Sequence, residues 1–124
     1  MTFPHVIDQS RRLAIVMLSG PVHGHEITAG LENLYRDEQW TPAFDLLWDA
    51  RNITELHLDM ADLTGLVRLH KQYGAVGPRR EVTLVRRPLD RTMARIYAIL
   101  MKAASHQVHV CESEAEANEW LAKS

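Results

Sequence analysis

The chain has 124 residues, 46% of them hydrophobic and 24% charged. That balance is typical of a folded globular protein rather than a disordered one, and a chain of this length reads as one domain, 1–124. It is long enough to bury about two-thirds of the surface its unfolded form exposes, so no disulfide or metal is required to hold it together. With 14 Lys+Arg against 16 Asp+Glu the formal net charge is −2, which argues against a nucleic-acid partner. A lone cysteine, Cys111, rules out an intramolecular disulfide and fits a reducing compartment. The segment from Met1 to Asp8 has no basic stretch followed by an apolar core, and the apolar run Leu13 to Leu18 is far short of the ~20 residues that span a bilayer. The expectation is a cytoplasmic protein with no stable membrane insertion.

Val6-Ile7 and Leu13 to Leu18 are separated by polar Asp8-Gln9-Ser10-Arg11-Arg12. This spacing predicts an antiparallel hairpin with the first strand at the edge, and Ser19-Gly20-Pro21 is expected to stop the second strand. From Gly24 the apolar period changes: Ile27, Leu31, Leu34 and Tyr35 share one helical face, and the helix should end near Asp37. After the Thr41-Pro42 break, Phe44 to Asp49 reads as a central strand that ends on Asp49 and Arg51. Ala50 to Leu58 reads as irregular. Asp59 is placed to cap a second helix whose stripe is Met60, Leu63, Leu66, Val67 and His70, running to about Tyr73.

Glu81 to Val85 is a further strand, bracketed by Arg79-Arg80 and Arg86-Arg87. Pro88 stands at the first turn of a third helix, where its missing N–H costs nothing, and Met93, Ile96, Tyr97, Leu100, Met101 and Ala104 form its apolar stripe. Gln107 to Cys111 is a last strand, and Ser113 with Glu116 makes a capping box for a helix carrying Trp120 and Leu121. The order β-β-α-β-α-β-α-β-α predicts a mostly parallel α/β sheet of four to five strands, an antiparallel N-terminal edge strand and four helices.

That order, together with Trp48-Asp49-Ala50-Arg51 closing the central strand and Met93-Ala94-Arg95-Ile96-Tyr97 in the third helix, resembles the SpoIIAA-like fold of STAS domains and the small single-domain SpoIIAA-like bacterial proteins of uncharacterised function. The likeness runs from about His5 to Leu121. It implies a βα superhelix and a non-enzymatic role: binding of a regulatory protein partner, or carriage of a small apolar or amphipathic, lipid-like molecule. Anti-sigma-factor antagonists of this fold carry a phosphorylatable Ser or Thr where the helix after the central strand begins. Here Met60 stands there, and a thioether cannot accept a phosphoryl group; Thr64, one turn on, is the nearest hydroxyl within that helix.

In open α/β sheets ligands sit at the carboxyl ends of the strands. Parallel pairing would bring Asp49, Arg51, Arg86 and Arg87 to that edge, where arginine forks suit an anionic ligand or an acidic partner segment. The alternative is an internal ion pair with the other arginines solvated. Arg91 and Arg95 are four residues apart on one helix and could border the same surface; Asp90 is the candidate to neutralise Arg91. Seven histidines raise the question of a metal, but neither His23-Gly24-His25 nor His106, His109 and Cys111 supplies a full tetrahedral set. No cofactor is expected. Phosphate-binding loops and nucleophile elbows are missing from the sequence, and Cys111 in an apolar strand reads as a core thiol. An enzyme is therefore not expected. Trp40, Trp48 and Trp120 with Met60, Met93 and Met101 either pack the core or line an apolar cavity. An exposed edge strand leaves a homodimer open.

Overall fold

The computed structural model describes residues 3–74 and 77–123. Five strands, β1 (His5–Asp8), β2 (Leu13–His23), β3 (Asp45–His57), β4 (Glu81–Leu84) and β5 (Val108–Cys111), lie in sequence order across one sheet. β1 is antiparallel to β2 and the remaining pairs are parallel. The helices are α1 (Gly24–Tyr35), α2 (Met60–Tyr73), α3 (Pro88–Ala103) and α4 (Glu114–Leu121). The expected fold class is the one observed.

Strands that follow one another in order through crossovers of a single hand must carry their helices on one face. Accordingly Ile27, Leu31 and Leu34 of α1, Leu66 of α2, and Ala94 and Tyr97 of α3 pack on one side with Val16, Leu46, Trp48 and Val85. Among the described residues, α4 alone of the helices covers the opposite face. There Ala117, Trp120 and Leu121 meet Leu47, Val82, Leu84 and Cys111.

The helix starts follow local chemistry. At α2 the Asp62 amide donates to Asp59 at 2.8 Å and the Asp59 amide donates to Asp62 at 3.0 Å, a reciprocal cap. Ser113 accepts from the Glu116 amide at 3.2 Å at the start of α4. Pro88 opens α3.

Two strands are longer than the sequence indicates. β2 continues through Ser19-Gly20-Pro21 to His23, and Ala50 to His57, expected to be irregular, extends β3. The turn-forming residues mark register shifts at Met17/Ser19 and Gly20/Pro21 rather than a strand end. Gly20, at φ +67°, supplies the left-handed residue there, and a proline is tolerated in a strand where the ladder is already broken. Because β4 pairs only with Leu46 to Asp49, the ends of β2 and β3 project beyond the sheet as a two-stranded ribbon.

At the opposite end of the sheet, buried Asp45 accepts from Arg79 at 3.1 Å and from Arg80 at 2.9 Å. Arg80 also donates to the Leu121 carbonyl at 3.0 Å and lies over the Trp120 ring, tying α4 to the sheet. Replacing Asp45 with Ala leaves the Arg80 guanidinium buried without its counter-charge. The expected cost is about 3 kcal/mol, read as a lower urea midpoint; a midpoint equal to wild type would show that the carbonyl contacts alone satisfy Arg80.

Candidate functional site

The expected edge assembles, with its charges already used. Asp49 accepts from Arg51 through both oxygens, at 3.0 and 2.9 Å, and Arg51 reaches Glu114 at 3.0 Å. Arg86 donates to the Arg51 carbonyl at 3.1 Å, and Arg87 donates to the Thr54 carbonyl and to Asp90. Arg86 and Arg87 therefore stitch the β3 extension to the β4–α3 junction, and Arg51 links it to the start of α4. Asp90, only 2% exposed, takes Arg87 as its partner rather than Arg91, because position 90 faces inward from the first turn of α3. Arg91 is paired instead with Glu112 across to the end of β5. Arg95 is exposed further along α3.

Beside this edge an apolar cleft of about 70 Å³ opens between the sheet, α2 and α3. Trp48, Ile53, Leu56, Leu66, Met93 and Tyr97 contribute to its walls. Its position follows from the long β3: Ile53 and Leu56 lie in the segment that overhangs the shorter β4. Of the aromatic and sulfur side chains considered for a cavity, Trp48 and Met93 line it. Trp40 packs against Tyr35 and Phe44, Trp120 belongs to the other face, Met101 is buried elsewhere, and Met60 is 52% exposed at the start of α2. Thr64 is exposed on α2 and donates to the Ala61 carbonyl at 3.1 Å.

Behind the cleft lies a polar cluster that the linear sequence does not announce. Glu81, the first residue of β4, is 2% exposed. Its carboxylate accepts from Trp48 Nε1 at 2.7 Å and from the Tyr97 hydroxyl at 3.1 Å. His106 Nε2 lies 2.8 Å from Glu81 Oε2, and the His70 ring is centred 4.2 Å from that of His106. Burial and the neighbouring Glu81 charge raise the Tyr97 phenol well above its ordinary range, while burial, then the His106 charge, lower His70. The nearest sequence signal was Glu81 itself, a carboxylate opening an apolar strand. Its partners are scattered from position 48 to position 106.

The other histidines go elsewhere. His23 stacks on His57 at 4.5 Å and lies 5.8 Å from His25, while His109 stacks on Trp120 at 5.1 Å and approaches Glu116 at 3.3 Å. His106 and His109 are thus on opposite sides of the sheet.

Comparison with solved structures finds the same fold. The chain is similar to an uncharacterized protein from the DUF3478 family with a SpoIIAA-like fold, from Shewanella loihica PV-4. The TM-score is 0.62 with 16% sequence identity, over 97% of this chain and 94% of that one. The architecture is SpoIIAA-like. No protein-family model matches it, and no curated protein is significantly similar. Among the described residues, no helix is long and apolar enough to cross a membrane.

Two measurements check this site. The Arg51 hydrogen bonds hold the Asp49 carboxyl below the usual aspartate range, so its stabilising contribution is present above about pH 4 and is lost as pH falls through the lower folded value. The side-chain carbonyl resonance of Asp49 should titrate below that of a free aspartate, and Arg51→Gln should move it upward. Burial pushes the Cys111 thiol up to about 11, so a thiol reagent at neutral pH should label it only after unfolding. Rapid labelling of the folded protein would contradict that environment.

Proposed function

We propose that this chain is a non-catalytic STAS-like binding module whose site is the cleft between the sheet, α2 and α3, and whose ligand is a small apolar or amphipathic molecule. The observation that carries this reading is the cleft itself, walled by Trp48, Ile53, Leu56, Met93 and neighbouring apolar side chains beneath the starts of two helices. At about 70 Å³ it has roughly half the volume of an apolar cavity that admits benzene. It takes a short alkyl segment as it stands, and a longer one when α2 and α3 part. Met93 suits such a lining because its unbranched thioether adapts to different shapes.

The arginine edge supports a supporting role more than primary anion capture. Arg51, Arg86, Arg87 and Arg91 are each held by groups of the chain itself, and an incoming anion would have to compete with those contacts. Asp49 is sealed by Arg51, and the Cys111 thiol is buried and protonated at neutral pH, both of which fit a protein that binds without catalysing. A second reading, docking of a regulatory protein, draws on Met60 and Leu89, 52% and 58% exposed at the first turns of α2 and α3. In that reading Met60 occupies the place of the phosphoacceptor, so the interaction runs without a phosphorylation switch at that position.

The two readings separate in one experiment. Ala94→Trp fills the cleft from α3, whereas Met60→Ser with Leu89→Ser leaves it open and removes the exposed apolar side chains. Binding of 1-anilinonaphthalene-8-sulfonate and its displacement by a medium-chain fatty acid should weaken at least about tenfold in Ala94→Trp, a loss of about 1.4 kcal/mol, and remain unchanged in the double variant. Unaltered displacement in a folded Ala94→Trp protein would remove the cleft as the site.

A further inference from the structure

We propose that His70, Glu81 and His106 form a binding site for a divalent first-row transition metal such as Zn²⁺. One ligand atom from each lies within 4.8 Å of the others. Two imidazoles and one carboxylate are the donor set that such ions take in protein sites with an open position.

The contact between His106 and Glu81 distinguishes this arrangement from an ordinary buried ion pair. His106 Nε2 is 2.8 Å from Glu81 Oε2, yet it makes no hydrogen bond to any described residue. The nitrogen is near the oxygen without being directed at it. His106 is only 8% exposed and Glu81 2%, so this off-axis ion pair is withdrawn from water. A cation shared by the two side chains would give the imidazole lone pair and the carboxylate oxygen a common partner, which the off-axis contact between them does not. His70 brings a second imidazole to the same place, its ring 4.2 Å from that of His106 and inclined by 41°. A carboxylate able to satisfy one imidazolium leaves the second ring with no role in an ion pair, whereas a metal uses both.

The surroundings of Glu81 match what a ligating carboxylate requires. Its Oε1 is fixed by Trp48 Nε1 at 2.7 Å and by the Tyr97 hydroxyl at 3.1 Å. Outer contacts of this kind orient a ligand and hold it in place before the ion arrives. A tetrahedral ion with bonds of about 2.0–2.1 Å sets its ligand atoms roughly 3.3 Å apart. His106 Nε2 and Glu81 Oε2, 2.8 Å apart, must open by about 0.5 Å to reach that spacing, and the less buried His70, within 4.8 Å of both, closes the set by a movement of up to about 1.5 Å. Three protein ligands leave a fourth position for water or an incoming donor. The inference stands on these three side chains and is independent of what occupies the neighbouring cleft.

The test uses full-length protein without a polyhistidine tag, stripped with EDTA, dialysed, and titrated with Zn²⁺ by calorimetry and with Co²⁺ by visible absorption. Wild type should take up one equivalent tightly, and Co²⁺ should show the intense d–d bands of a four- or five-coordinate ion. His106→Gln and His70→Gln should each weaken binding by more than the about ten- to hundredfold typical of losing an outer-shell partner. A His23→Gln/His57→Gln protein, which removes the exposed histidine stack, should bind as wild type does. If His106→Gln fails to fold by circular dichroism, the half-exposed His70→Gln carries the comparison. Absence of saturable uptake by wild type, wild-type affinity in His70→Gln, or loss of binding in the His23/His57 variant would each overturn the proposal.

Discussion

The structure depends most on how it accommodates the Glu81 carboxylate. Moving a carboxylate out of water costs several kcal/mol unless donors replace the lost hydration, and each hydrogen bond to a charged group returns about 1.5–3 kcal/mol. Trp48 on the central strand and Tyr97 on α3 supply those donors, and His106 approaches from the start of β5. One side chain therefore fixes the relative positions of β3, β4, α3 and the last crossover. Its hydrophobic surroundings strengthen each of these contacts, since water cannot compete for them.

The same residues connect the polar cluster with the apolar cleft. Trp48 and Tyr97 present their rings to the cleft and their polar atoms to Glu81. Hydrogen bonds to Glu81 thus hold two walls of the cleft in place. The neighbouring arginine edge contributes on the other side: Arg86 and Arg87 bind backbone carbonyls of the extended β3. That places the overhang carrying Ile53 and Leu56 over the cleft. A binding surface and a buried polar network are in this way parts of one packing arrangement.

Local signals in the chain account for much of this. The capping carboxylates Asp59 and Asp62, Pro88 and Ser113 fix helix starts through interactions among neighbours in sequence, so they are legible without tertiary information. Periodic stripes such as Ile27, Leu31 and Leu34 are legible for the same reason. Ser19-Gly20-Pro21 misleads because turn-forming residues also occur at bulges inside a strand, and only pairing with β3 distinguishes the two. Ala50 to His57 lacks an alternating apolar pattern because that part of β3 is paired with β2 alone and mostly faces water.

The amino-acid sequence by itself determined the order of strands and helices, the mostly parallel sheet and the collection of Asp49, Arg51, Arg86 and Arg87 at one edge, since each follows from local periodicity and from the handedness of crossovers. The tertiary structure alone decided which charges are mutually satisfied, such as Arg87 with Asp90 and Arg91 with Glu112. It also decided that Trp48, His70, Glu81, Tyr97 and His106 converge. Convergence of that kind depends on helix rotation and side-chain direction across elements tens of residues apart, and neither is encoded in the spacing of a single segment.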